Sequence, residues 1–190
     1  MTPDQTLLSI DPSLHSLGFA LYNQSLEARG TDRYDIKSGA WRYGCVHPKG
    51  ASRQEKWRHA LQALVAKAAD WRMTHLVIEW PIFFATQRGM IAASRGDTLE
   101  IAGLVGYIAG HYRLPADHVT LYTPLQWKGA VPKRVTLYKF ERLFGCDPKT
   151  VAPHYTDDVI DAIMIAEFWL RRHYPLTGAI KGRRAPPVFR

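Results

Sequence analysis

Apolar residues come in short runs along the first half of the chain, each closed by a polar residue or a turn. TLLSID ends in an aspartate, and after a turn containing Pro12, Ser13 and Ser16 the chain resumes as LGFALYN. These two runs predict the strands of a hairpin. IKSGAWRYGCV, in which Ile36, Ala40, Tyr43 and Val46 alternate loosely with polar residues, predicts a third strand and hence a meander. The period then changes. SRQEKWRHALQALVAKAADW opens with Ser52 and Glu55 at capping-box spacing and places Trp57, Leu61, Leu64, Val65 and Ala68 on one stripe of a helix. HLVIEWP reads as a buried strand stopped by Pro81. LEIAGLVGYIAGHY predicts a helix rich in small residues, VTLYTP a fifth strand, PKRVTLYKFERLFG a helix begun by Pro132, and YTDDVIDAIMIAEFWLRRHY a last long helix. A meander followed by alternating helices and strands describes an α/β layer fold with a mixed sheet of about five strands.

Composition narrows the partners. The chain has 190 residues, 46% of them hydrophobic, enough for one compact domain with a real core. Lys and Arg number 25 against 17 Asp and Glu, and the formal charge of +8 favours polyanions such as nucleic acid. No apolar run approaches the roughly 18 residues of a membrane span, and the N-terminus lacks a leader pattern, so no membrane partner and an intracellular, cytoplasmic location are expected. Cys45 and Cys146 form no CxxC pattern, which points to buried free thiols instead of a zinc site or disulfide. The end of the chain, LTGAIKGRRAPPVFR, carries four basic residues and no acidic one and reads as a mobile arm.

Three carboxylates are wrongly polar for their surroundings. Asp11 closes the run LLSI, Glu79 closes LVI, and Asp161 is hemmed in by Val159, Ile160, Ala162 and Ile163. Taken singly, each has an ordinary explanation: a turn residue, a strand end paired with an arginine, or, for Asp157 and Asp158, a helix cap favoured by the macrodipole. Together they fall at strand end, strand end and helix start, where sites assemble in layered α/β folds. Asp158 and Asp161, spaced i, i+3, share one helix face. Four carboxylates in one cleft raise each other's pKa, and divalent cations relieve the conflict. Oxygen donors without cysteine or an HExxH pair favour Mg²⁺ or Mn²⁺ over zinc, and two such ions can clamp a phosphodiester.

In order along the chain, LLSIDPSLHSLGFAL, LVIEWPIFF, LEIAGLVGYIAG, LYTPLQWKGAVPK and DDVIDAIMIA resemble the RuvC family of Holliday junction resolvases, within the RNase H-like nucleases. The resemblance spans Thr6 to Leu170. It implies an RNase H-like α/β fold, a mixed five-stranded sheet with helices on both faces. Residues 1–173 would form the nuclease domain and 174–190 a basic tail. It implies a homodimer that nicks a four-way DNA junction symmetrically, in recombination, repair or phage genome processing, and in the host cytoplasm if phage-encoded. Asp11, Glu79, Asp158 and Asp161 would be catalytic and bind two Mg²⁺ or Mn²⁺ ions, with no small-molecule cofactor. Lys128 and Lys133 would approach the scissile phosphate. DNA contacts would come from Phe83, Phe84, Arg88, Lys128, Lys133 and Arg134; a phenylalanine wedge into the junction and burial of Phe84 in the core are equally open. Two departures stand out: Ser13 takes the place of a usual glycine, and Asp157 beside Asp158 leaves the third ligand ambiguous. Other readings in view are a broader branched-DNA or RNase H-type nuclease, a junction-binding protein without catalysis, and a sugar kinase or actin-like ATPase. The last needs further glycine-rich phosphate loops and two lobes, for which this chain is short.

Overall fold

Central strands that are apolar at consecutive positions must be covered on both sides, because successive side chains point to opposite faces. The computed structural model describes residues 6–174 apart from 14, 29–31, 69–70, 81–96 and 155. Strand β1 (Thr6–Pro12) pairs antiparallel with β2 (Leu17–Asn23), which pairs antiparallel with β3 (Trp41–Val46). On its other side β1 pairs in parallel with β4 (His75–Glu79), which pairs in parallel with β5 (Val119–Tyr122). The sheet order is β3-β2-β1-β4-β5, a mixed five-stranded sheet as expected.

Alternation along the strands divides the core in two. Leu8, Ile10, Leu21, Leu76 and Ile78 meet α2 (Arg53–Lys67) and α3 (Asp97–Tyr112) through Leu61, Leu64, Leu104 and Ile108. Leu7, Ala20, Tyr22, Trp41 and Val77 face the opposite way, into a cluster shared with α5 (Lys133–Phe144) and α7 (Thr156–His173). Each fully buried Leu or Ile contributes roughly 1.5–3 kcal/mol. Helix α7 is buried on nearly all sides, from Val159 to Ala166 and again at Trp169 and Leu170, since it lies between the sheet and α5. Short helices α1 (Gln24–Ala28), α4 (Pro124–Trp127) and α6 (Pro148–Val151), with a 3-10 turn at Ala116–His118, complete the described elements. Among these, no helix is long and apolar enough to cross a membrane.

Several expectations need correction. The third strand starts at Trp41, not at Ile36; turns closed by Asp35 N–H to Asp32 C=O and Ser38 N–H to Asp35 C=O tuck Ile36 into the core outside any strand. The Ser52–Glu55 capping box is present, but Val65 is exposed and Ala60 takes its place on the buried stripe of α2. Pro132 precedes α5 as its N-cap and does not start it. The two cysteines are free but only partly buried. Phe83, Phe84, Arg88 and the tail from 175 to 190 lie outside the described residues.

Two contacts seat α7 on the sheet. Ser9, small and buried in β1, donates its hydroxyl to the Ala162 carbonyl. Gly18 in β2 lies under the first turn of α7, where a Cβ would collide with the Asp158 carbonyl. Because that neighbour is backbone, the helix itself must shift to admit a side chain. Gly18→Ala is expected to cost about 1–3 kcal/mol, read as a lower urea midpoint at unchanged slope.

Candidate active site

The alternation that sends Leu8 and Ile10 to one face sends Ser9 and Asp11 to the other, and in β4 it puts Val77 and Glu79 on that same face. The parallel register matches Ile10 with Ile78, so Asp11 and Glu79 follow side by side where both strands end. The first turns of α7 bring Asp158 and Asp161 to this point, and Asp161 is only 3% exposed. All four predicted carboxylates are therefore assembled by one strand pair and one helix.

Asp157 and Asp158 separate by their partners. Asp158 accepts a hydrogen bond from the Ser16 hydroxyl and bears electrostatically on Asp11. Asp157 points outward and pairs with Lys133 at 3.2 Å, both side chains being 49% exposed. The geometry thus favours Asp158 as the third member of the acidic centre. Ser13, standing where a glycine was expected, accepts from Ser16 N–H at 3.0 Å and His15 N–H at 3.3 Å, and so shapes the turn that delivers Ser16.

Charge is the dominant feature. Burial, then Glu79, Asp161 and Asp158, push the Asp11 carboxyl well above its usual range. Burial also raises Glu79 and Asp161, against the opposing pull of Lys128 on each. Lys128 is the centre's positive partner, with its Nζ 3.0 Å from Asp161 Oδ2 and 3.6 Å from Glu79 Oε2. Burial alone would lower its pKa, but Asp161 and Glu79 outweigh that and raise it. Trp127 was not anticipated: its indole N–H donates to Glu79 Oε2 at 2.7 Å, and the Lys128 ammonium sits 4.7 Å from its ring centroid. A buried indole N–H usually finds an acceptor, and that is the one signal in LQWKG that could have marked it.

Lys133 and Arg134 do not enter the acidic centre. They line an adjoining groove of about 660 Å³ with Tyr138, Lys149, His154, Asp157 and Asp158. Among the described residues, no group of three or more His, Cys, Asp or Glu converges closely enough to hold a metal ion as the side chains stand. The donor set nonetheless fits a hard divalent cation in kind. It is all carboxylate oxygen, and the mutual repulsion within it is opposed by the Lys128 ammonium.

No protein-family model matches the chain, and no curated protein matches it. Solved structures do. RuvC of T. thermophilus in complex with Holliday junction substrate is similar at 16% identity and a TM-score of 0.54, over 89% of this chain and 96% of that one. The Thermus thermophilus RuvC structure is similar at 19% identity and a TM-score of 0.56, over 88% and 96%. The yeast mitochondrial Holliday junction resolvase Ydc2 shares 13% identity at a TM-score of 0.48, over 91% and 84%, too distant to weigh. At such identities the likeness shows the fold: this chain has the RuvC-like, RNase H-like α/β fold.

Raised carboxylates have a consequence for stability. Asp11, Glu79 and Asp161 hold protons more tightly when folded than at their ordinary pKa values of 3.8, 4.5 and 3.8, so the folded state binds more protons in the window above those values. Their contribution is most favourable below pH 4 and is lost as pH rises through the raised values. In EDTA at pH 8, Asp11→Asn is expected to melt higher than the parent protein, by about 2–4 °C for each kcal/mol relieved. The gap should close toward pH 4 in thermal scans, and Mg²⁺ should raise the parent's melting temperature more than the variant's.

Proposed function

We propose that the chain is a metal-dependent, structure-selective DNA endonuclease that resolves four-way junctions by paired symmetric nicks. One observation carries this reading: Asp11, Glu79, Asp158 and Asp161 are gathered at the strand ends of a RuvC-like fold despite their mutual repulsion. A protein that only bound DNA would gain nothing from carboxylates in its interior. The similar T. thermophilus protein is seen with a Holliday junction, and the same class of substrate is proposed here.

Asp11, Glu79, Asp158 and Asp161 would hold two Mg²⁺ or Mn²⁺ ions, which when bound supply an activated water and stabilise the leaving 3′ oxygen. The residues of the chain divide the remaining work. Ser16 fixes the Asp158 carboxylate, and Trp127 fixes that of Glu79. Lys128 neutralises charge at the cleft, a role that suits a phosphodiester passing through its transition state. Lys133 and Arg134, at the start of α5, place positive charge where the flanking backbone would run. Phe83, Phe84 and Arg88 remain candidates for contact with the junction centre.

A homodimer is part of this reading, because two symmetric nicks need two sites. Helix α3 offers the face. Leu99 is 66% and Tyr107 43% exposed, and a Cβ at Gly106 or Gly110 would meet nothing. Glycine inside a helix costs about 1 kcal/mol, and among the described residues nothing packs closely enough on either of these to require it. Their value would be to let a second α3 approach closely.

End-labelled four-way junctions are expected to be cut at paired symmetric positions in Mg²⁺ or Mn²⁺, while linear duplex and RNA–DNA hybrid stay intact. EDTA should abolish cutting, and Asp161→Asn should reduce it at least about a hundredfold. Junction binding without cutting would leave only a binding protein, and cleavage of the hybrid would move the substrate to RNase H type. Light scattering is expected to give twice the chain mass, and Gly106→Trp to shift it toward the monomer; an unshifted dimer would place the seam elsewhere.

A further inference from the structure

We propose that Lys128 is the resident cation of the acidic centre: seated on Trp127, its ammonium satisfies Glu79 and Asp161 in the metal-free protein, and binding of a divalent ion must displace it. This rests on the reading of those carboxylates as metal ligands.

Three observations support it. First, the ammonium touches two of the four carboxylates, at 3.0 Å to Asp161 and 3.6 Å to Glu79. A divalent ion that engages Asp161 Oδ2 and Glu79 Oε2 takes the oxygens the ammonium now faces, and at that range its two positive charges repel the ammonium. Second, the acids beside the ammonium have fixed protein partners of their own. Trp127 N–H fixes Glu79 from one side, Ser16 fixes Asp158 from another, and no three carboxylates among the described residues converge on one point. Third, the tether is firm while the head can move. Helix α4 is a single turn with a Thr123–Gln126 capping box, closed by Lys128 N–H and Gly129 N–H on the Pro124 carbonyl, with Gly129 at φ 72°. This anchors the Lys128 backbone at the rim of the cleft. Its four-carbon stem then lets the ammonium withdraw without moving the chain. Displaced, it stays within one side chain's reach of the cleft and is available to a phosphodiester, so one residue serves as counter-ion in both states.

Metal binding without DNA tests this. Mn²⁺ is titrated calorimetrically at pH 8 into the full chain and into Lys128→Met, with circular dichroism to confirm folding and melting in EDTA as a second readout. The variant is expected to melt lower than the parent in EDTA and to bind Mn²⁺ about tenfold tighter, the scale of coupling between a bound ion and one competing charge. Lys128→Gln, which keeps a hydrogen-bond donor for Asp161, is the second variant should Lys128→Met fail to fold, and the same direction is expected of it. Unchanged or weaker Mn²⁺ binding by the folded variant overturns the proposal. The nuclease reading stands or falls separately, on cleavage of the junction, because no DNA enters this titration.

Discussion

Helix α7 lies against strands β1 and β2 so closely that Gly18 has no room for a Cβ under Asp158, and Ser9 reaches the Ala162 carbonyl from below. This seating fixes both the height and the rotation of the helix. With the rotation set, Val159, Ile160, Ile163 and Ala166 enter the core, while Asp158 and Asp161 hang over the ends of β1 and β4. The same contact that completes one half of the hydrophobic core thus brings carboxylates from distant parts of the chain into one cleft. Burial first, and then the like charges of Glu79, Asp161 and Asp158, make an ionised Asp11 costly and raise its pKa. Lys128 and Trp127, delivered by a single helical turn after β5, offset part of it.

Charge is distributed in two senses. The chain as a whole carries a formal charge of +8, which favours attraction of a polyanion. Inside, the centre is acidic and attracts small cations. A phosphodiester reaching it would meet Lys133 and Arg134 along the groove and Lys128 at the carboxylates. The arrangement stores instability where the proposed chemistry occurs, so removing an acid should strengthen the metal-free fold while ending catalysis.

Much of the fold was legible because it follows from local period and end signals. The hairpin, the capped helix from Arg53 and the buried strand at His75–Glu79 are where their patterns put them. Ile36 and Val65 misled for a common reason: an apolar residue signals burial, not the element that buries it, so Ile36 enters the core from a turn and Val65 leaves a helix stripe for solvent. The short helices carried no periodic signal, since four or five residues do not complete two turns.

At the candidate site, the residues that are out of place can be read from the amino-acid order alone: an aspartate ending LLSI, a glutamate ending LVI, and Asp161 amid apolar neighbours. A charge in an apolar run is visible without knowing the fold, because burial of that run follows from its composition. It could not decide between Asp157 and Asp158, nor show that Trp127 holds Glu79 or that Ser16 holds Asp158. Those pairings depend on the strand register, on the face each strand turns to α7, and on the rotation that Gly18 and Ser9 impose. They join residues distant in sequence through packing, and packing is settled only when the whole core closes.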